Sequence, residues 1–248
     1  MERSQEAWVY NYLGWICYEL GKMTETLLYY KEALHLFKEI KDDGMEAAIL
    51  TNLGQVYNSL GKNTEALTYY EQALHTQRKV GDRSEEGRVL NGLGMIYNDL
   101  GQQREALKYL QQALIIRREI KDRDGEGQTL NDLGLVYTAL DQKQEALNYY
   151  QQALTIYRQI GYRDGEGVTL WNIGTLYFER GHYDAALACF LLARGIFEEV
   201  QSPSRDGVQR WIDSLREKAG EKQFTALLAN VKPQATQIVE KALREGLE

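Results

Sequence analysis

The chain has 248 residues, a formal net charge of −7 and a hydrophobic fraction of 44%, values of an ordinary folded protein. The acidic balance argues against nucleic-acid or anionic-membrane partners, no apolar run approaches the length of a membrane span, and the N-terminus has no apolar signal segment. Cys17 and Cys189, far apart in the chain, are not expected to bridge, which points to a cytoplasmic protein.

From its first residues the chain repeats itself every 40. Gly14, Gly54, Gly94, Gly134 and Gly174 are evenly spaced, each within a version of Asn-Leu-Gly-x-x-Tyr, Leu-Gly and Glu-Ala-Leu-x-Tyr-Tyr-x-x-Ala-Leu. Such a period means a supersecondary unit stacked on copies of itself. Residues 4–203 divide into units 4–43, 44–83, 84–123, 124–163 and 164–203, followed by a C-terminal region at 204–248. In the first unit Trp8, Tyr12, Trp15 and Tyr18 fall close to one helical face. They are either interface anchors, the cover of a repeat end, or a means of self-association through Trp8, Tyr12 and Trp15.

The third unit shows the element pattern best. Leu90, Leu93, Tyr97 and Leu100 form one helical stripe within 87–100, and Gly101 follows as a left-handed cap. Ala106, Leu107, Leu110, Ala113 and Leu114 form a second stripe within 105–120, and the polar stretch Lys-Asp-Arg-Asp-Gly-Glu-Gly then reads as a turn. Each unit is thus helix A, tight turn, helix B, loop. A mid-helix glycine such as Gly94 costs about 1 kcal/mol relative to alanine, so its recurrence predicts that a neighbouring helix packs where the side chain would be. In the fourth unit Asp141 replaces the turn glycine, and in the first and fifth Cys17 and Cys189 each replace a tyrosine of the pattern. After Pro203 the register decays. Helices are predicted at 204–218, 221–231 and 234–243, with Val208, Trp211, Ile212 and Leu215 and then Phe224, Leu227, Leu228, Ile238, Val239 and Leu243 facing inward as a cap.

Leu-Gly-x-x-Tyr followed by Ala, Tyr/Phe and Ala at helical spacing resembles the tetratricopeptide repeat. Three departures stand out: Tyr10, Leu50, Leu90, Leu130 and Leu170 replace the opening tryptophan, Lys38, Arg78, Arg118 and Arg158 replace the proline of helix B, and the unit is 40 residues rather than 34. Longer helices joined by Asp-Arg-x-Gly-Glu-Gly are similar to kinesin light chains, the LGN/Pins adaptors and cyanobacterial members. The resemblance implies an all-α fold, a right-handed α-solenoid of stacked helical hairpins with capping helices. Its A helices would line a concave face.

Transferred by register, that face carries Asn11, Trp15, Asn52, Gln55, Asn58, Arg88, Asn91, Asn98, Gln128, Asn131, Trp171 and Asn172. An amide side chain offers both donor and acceptor, and the adaptor relatives clamp extended peptides with such asparagines. The function expected is a non-catalytic scaffold for a peptide or partner helix. The alternative is a self-assembling module of a larger signalling protein. The chaperone-tail clamp does not fit, because only Arg88 among Asn11, Trp15, Arg88 and Gly92 matches it. No cofactor and no metal is expected, since His35, His75 and His182 lack partners at ligand spacing. Asp122-Arg-Asp124-Gly125 lacks the remaining ligands of a calcium loop, and no nucleophile–base set suggests an enzyme.

Overall fold

The computed structural model describes residues 2–247, and among these the only regular elements are helices. Helices α1 (Glu2–Glu19) to α6 (Gln103–Glu119) form three antiparallel hairpins, α1/α2 (Met23–Glu39), α3 (Asp43–Ser59)/α4 (Asn63–Val80) and α5 (Arg83–Asp99)/α6. They make up one compact unit, ending at Lys121. A second begins at Asp122 with hairpins α7 (Arg123–Ala139)/α8 (Lys143–Ile160) and α9 (Arg163–Arg180)/α10 (Tyr183–Glu199). It continues through α11 (Ser204–Ala219), α12 (Glu221–Val231), a 3-10 turn at Lys232–Gln234 and α13 (Ala235–Glu245). Helices α11 and α13 pack on α10, and Val208, Leu215, Phe224 and Val239 join its core.

Each repeated glycine faces the B helix of its own hairpin. A Cβ on Gly14 would lie 2.5 Å from the Tyr30 ring, on Gly94 2.6 Å from Leu110, on Gly134 2.4 Å from Tyr150 and on Gly174 2.6 Å from Phe190. The glycine therefore brings the helix backbone against a large buried side chain, and Ala66, Ala73, Ala106, Ala113, Ala146 and Ala153 are fully buried beside it. At the A-to-B turn Asp141 takes the same left-handed backbone (φ 57°) as Gly101 (φ 71°), a region where aspartate is tolerated.

The A helices start earlier than the hydrophobic stripe indicates. Asp-Arg-x-Gly-Glu-Gly is the first turn of a helix, not a loop. Asp42, Asp82 and Asp122 are N-caps whose carboxylates accept, each at 3.0 Å, from the backbone N–H of Met45, Glu85 and Gly125. The glycines there make room for the partner helix, as at Gly127, where a Cβ would meet the Tyr157 ring at 2.8 Å.

The glutamate of this turn closes an ionic clasp. Arg78 Nε donates to Glu86 Oε1 at 2.8 Å, and Arg83 bonds Glu86 Oε2 at 2.6 Å and Glu119 at 2.6 Å. Burial raises the Glu86 pKa, but hydrogen bonds from Arg78 and Arg83 outweigh it and hold the carboxyl below its ordinary value. Arg158, Glu166, Arg163 and Glu199 repeat the clasp, and Lys38 faces Glu46 at 3.8 Å. The basic residues in place of a helix-B proline thus tie one hairpin to the next.

The cysteines have a related explanation. Tyr57/Tyr69, Tyr97/Tyr109 and Tyr137/Tyr149 stack at 5.2, 5.3 and 5.1 Å. By register Cys17 replaces the A-helix member of this pair in the first hairpin, and Cys189 the B-helix member in the last. Both thiols are free, Cys17 half-buried and Cys189 buried.

Candidate functional site

In the first unit α1 and α3 border a cleft of about 460 Å³ lined by Asn11, Tyr12, Trp15, Tyr18, Tyr30, Asn52 and Gln55. Gly14 and Gly54 turn toward the B helices, so Tyr12 and Asn52, two residues before them, point to the opposite side of the helix, with Trp15 and Gln55 between. Tyr12 and Trp15 are 58% and 55% exposed. Gln55 Nε2 reaches the Tyr18 hydroxyl at 3.4 Å. The Tyr30 hydroxyl is pushed up to about 12, first by burial and then by Tyr18 and Glu19, so it stays protonated and able to donate. Two amide-bearing helices beside exposed rings suit hydrogen bonding to a peptide backbone together with stacking on its side chains.

The other predicted residues of this unit are placed differently. Arg88 is held by Glu85, with Nε and Nη2 at 2.9 and 2.5 Å from Oε2. Asn91 is only 6% exposed. Asn58 and Asn98 are half-buried on α3 and α5, and Asn98 Oδ1 is enclosed with no hydrogen-bond partner among the described residues. Trp8 is committed in part to the fold, its ring edge-on to Phe37 at 5.8 Å.

In the second unit Gln128 and Asn131 line a cleft of about 310 Å³ together with Asp124, Asp132, Tyr157, Tyr162 and Asp164. Asn131 is 8% exposed, and its Oδ1 accepts from Asn172 Nδ2 at 3.1 Å and Thr169 Oγ1 at 3.4 Å. It links α7 to α9. Trp171 meets Phe197 edge-on at 6.5 Å and lies over Gly207, where a Cβ would be 2.5 Å from the indole, so it packs α9 against α11. Burial raises the Tyr157 hydroxyl well above the ordinary tyrosine range, with Asp132 and Asp124 adding to the effect.

Six of the twelve predicted residues therefore gather in two clefts: Asn11, Trp15, Asn52 and Gln55 in one, Gln128 and Asn131 in the other. The sequence reading did not single out Tyr30 in the first cleft, nor Asp124, Tyr157, Tyr162 and Asp164 in the second; Tyr162 departs from the aspartate of Asp42, Asp82 and Asp122, whereas Tyr30 recurs as Tyr70 and Tyr150 and carries no such signal. Among the described residues no group of three or more His, Cys, Asp or Glu is arranged to hold a metal ion, and no helix is long and apolar enough to cross a membrane.

A tetratricopeptide repeat family model matches at residues 45–119, 85–159 and 128–199, more than half of the chain. No curated protein matches it. Among solved structures, BtubC (BKLC) from P. vanneervenii is similar at 22% identity over 77% of this chain and 80% of its own, with a TM-score of 0.67. A kinesin-light-chain-type protein of Podospora anserina with nearly identical TPR-like repeats shares 19% identity over 81% of this chain and 99% of its own, with a TM-score of 0.65. A Rap protein complexed with competence and sporulation factor shares 16% identity over 97% of this chain and 76% of its own, with a TM-score of 0.69.

Proposed function

The chain belongs to the tetratricopeptide repeat family, and from that premise we propose that it is a non-catalytic, cytoplasmic scaffold binding an extended peptide or partner helix on the faces of its A helices. The observation that carries this reading is the first-unit cleft, where Asn11, Asn52 and Gln55 present amides beside the exposed Trp15 and Tyr12 rings. Rigid hairpins hold these groups in place beforehand, so the ordering cost of binding falls on the ligand. A Rap protein of the same fold is complexed with a factor, a use of such a framework consistent with this one.

The test is retention of a protein from source-cell lysate by the wild-type chain and by Asn52→Ala/Gln55→Ala. Both positions reach the cleft, and neither is as enclosed as Asn91 or Asn131. A partner kept by wild type and lost by the variant supports the reading; equal retention by both rejects this face as the binding surface.

One observation favours self-assembly as a second reading. Ile49, Val56, Val89 and Ile96 are buried against the preceding hairpin, whereas their counterparts on α1, Val9 and Ile16, are 55% and 45% exposed. Light-scattering mass measured against concentration tests it: a mass above the monomer that Val9→Asp/Ile16→Asp lowers supports it, and a monomer throughout rejects it.

A further inference from the structure

Each position of a repeat has counterparts, and the first-unit cleft departs from them in what α1 contributes. On its face toward the cleft α1 carries Tyr12, Trp15 and Tyr18. The second unit has Asn52, Gln55 and Asn58 at these positions, the third Gly92, Met95 and Asn98, and no other A helix has more than one aromatic residue there. Tyr30, 4% exposed, adds a fourth ring from α2. The fold braces the rings. Tyr12 lies against Trp8 with centroids 5.9 Å apart, Trp8 meets Phe37 edge-on at 5.8 Å, and the Tyr18 hydroxyl accepts from Gln55 Nε2 at 3.4 Å.

Aromatic rings are negative on their faces, so a cleft walled by four of them attracts a cation. The charges at the cleft agree with that sign. Glu19 is the only charged residue of the described lining, is exposed and forms no ion pair among the described residues. Arg88 of α5 acts on the Tyr30 hydroxyl only as the weakest of four influences, and its guanidinium is held by Glu85. The amides decide which cation fits. Gln55 Nε2 is engaged by Tyr18, which leaves Oε1 to accept, and the Asn11 and Asn52 side chains bring further acceptor oxygens. A quaternary ammonium has no proton to give them. A lysine ammonium is compact and strongly hydrated, whereas a guanidinium stacks its plane on aromatic faces and offers five donors.

We propose that the first-unit cleft receives an arginine side chain of the bound peptide, its guanidinium stacked on the Tyr12 and Trp15 rings, its donors toward the amide oxygens of Asn11, Asn52 and Gln55, and its charge facing Glu19. The assignment rests on the peptide-binding reading above and names the residue that the cleft selects. Stacking and charge-assisted hydrogen bonds supply the attraction, and the net charge of −7 steers a basic segment toward the protein.

The test is selection from a displayed library of linear peptides by the full chain, then fluorescence anisotropy with the selected peptides. The variant is Trp15→Leu/Glu19→Gln; both residues are exposed, so its circular dichroism should match wild type, and Glu19→Gln alone serves if it does not. The expected result is a shared arginine at one peptide position. Its replacement by citrulline, which keeps the shape and removes the charge, or by lysine, which keeps the charge and removes the plane, weakens binding to wild type about tenfold. The same replacements weaken binding to the variant by less than about threefold. Selected peptides without a shared arginine, lysine accepted in its place without loss, or an equal citrulline effect in the variant overturns the arginine subsite while leaving peptide binding in place. Selection of no peptide at all removes the peptide-binding reading, and this one with it.

Discussion

Substitution of Gly134 by alanine isolates the interaction that sets the hairpin spacing. A glycine in a helix interior costs about 1 kcal/mol relative to alanine, so an open site would gain by the change. At Gly134 the new Cβ would sit 2.4 and 2.6 Å from two ring carbons of Tyr150, a residue 1% exposed. Carbon contacts settle near 3.5–4 Å, so the ring or the helix must move by roughly 1 Å. Overpacking of that kind costs about 1–3 kcal/mol, and the ring's 3.3 Å contact with the Thr138 hydroxyl is lost with it, about 1 kcal/mol more. The net expectation is a loss of about 1–3 kcal/mol. Gly195 in α10 is the control, since nothing lies within 4 Å of its Cβ position, and Gly195→Ala should gain up to about 1 kcal/mol. Both sites lie in the same compact unit, so urea unfolding followed by circular dichroism compares them in one transition. If Gly134→Ala proves as stabilising as Gly195→Ala, close helix approach is not the reason for the repeated glycine.

The ionic clasp makes stability depend on pH. The folded-state pKa of Glu86 is depressed, so its contribution is present above the unfolded carboxylate pKa and disappears as pH falls through the folded value. Glu86→Gln should cost about 1–2 kcal/mol at pH 7 and show a smaller acid-side loss than wild type in urea titrations taken from pH 7 down to 3. Thiol titration with an aromatic disulfide should find Cys17 reactive in the native chain and Cys189 reactive only on unfolding, since Cys189 is fully buried and burial raises its pKa far above the ordinary thiol range. Tyr162→Asp should restore the cap that Asp42, Asp82 and Asp122 provide and raise stability by about 1 kcal/mol, which urea unfolding of the variant would measure; no gain would mean that α9 begins in a geometry that cannot use it.

The hairpin, its tight turn and its close helix contact were legible in the sequence because each follows from local chemistry repeated in register. Gly94 and Ala113 appear at fixed distances from the stripes they serve, and chance does not reproduce that across units. The start of each A helix was not legible from hydrophobic period alone. The first turn carries Arg, Gly and Glu, and only the aspartate cap at positions such as Asp82 marks it as helix. The candidate site was legible in part. Register gives the face on which Asn52 and Asn131 stand but not their surroundings: Asn52 reaches a cleft, while the Asn131 carbonyl is taken up by Asn172 and Thr169 one hairpin away. Trp171 shows the same limit, since the residue that claims its ring, Gly207, lies beyond the regular repeats.

A protein built from near-copies contains its own reference state, and that bears on how its binding residues can be recognised. In the clasp, Arg158 and Glu166 reproduce Arg78 and Glu86, so their presence is explained before any ligand is considered. Tyr162 reverses that logic, because α9 forgoes a cap that three other A helices have. Stability in such arrays is close to a sum of unit and interface contributions, so the missing cap weakens the very helix that carries Asp164. The tyrosine there packs its ring edge-on against Tyr157, with centroids 5.4 Å apart, so this unit exchanges a cap hydrogen bond for an aromatic contact.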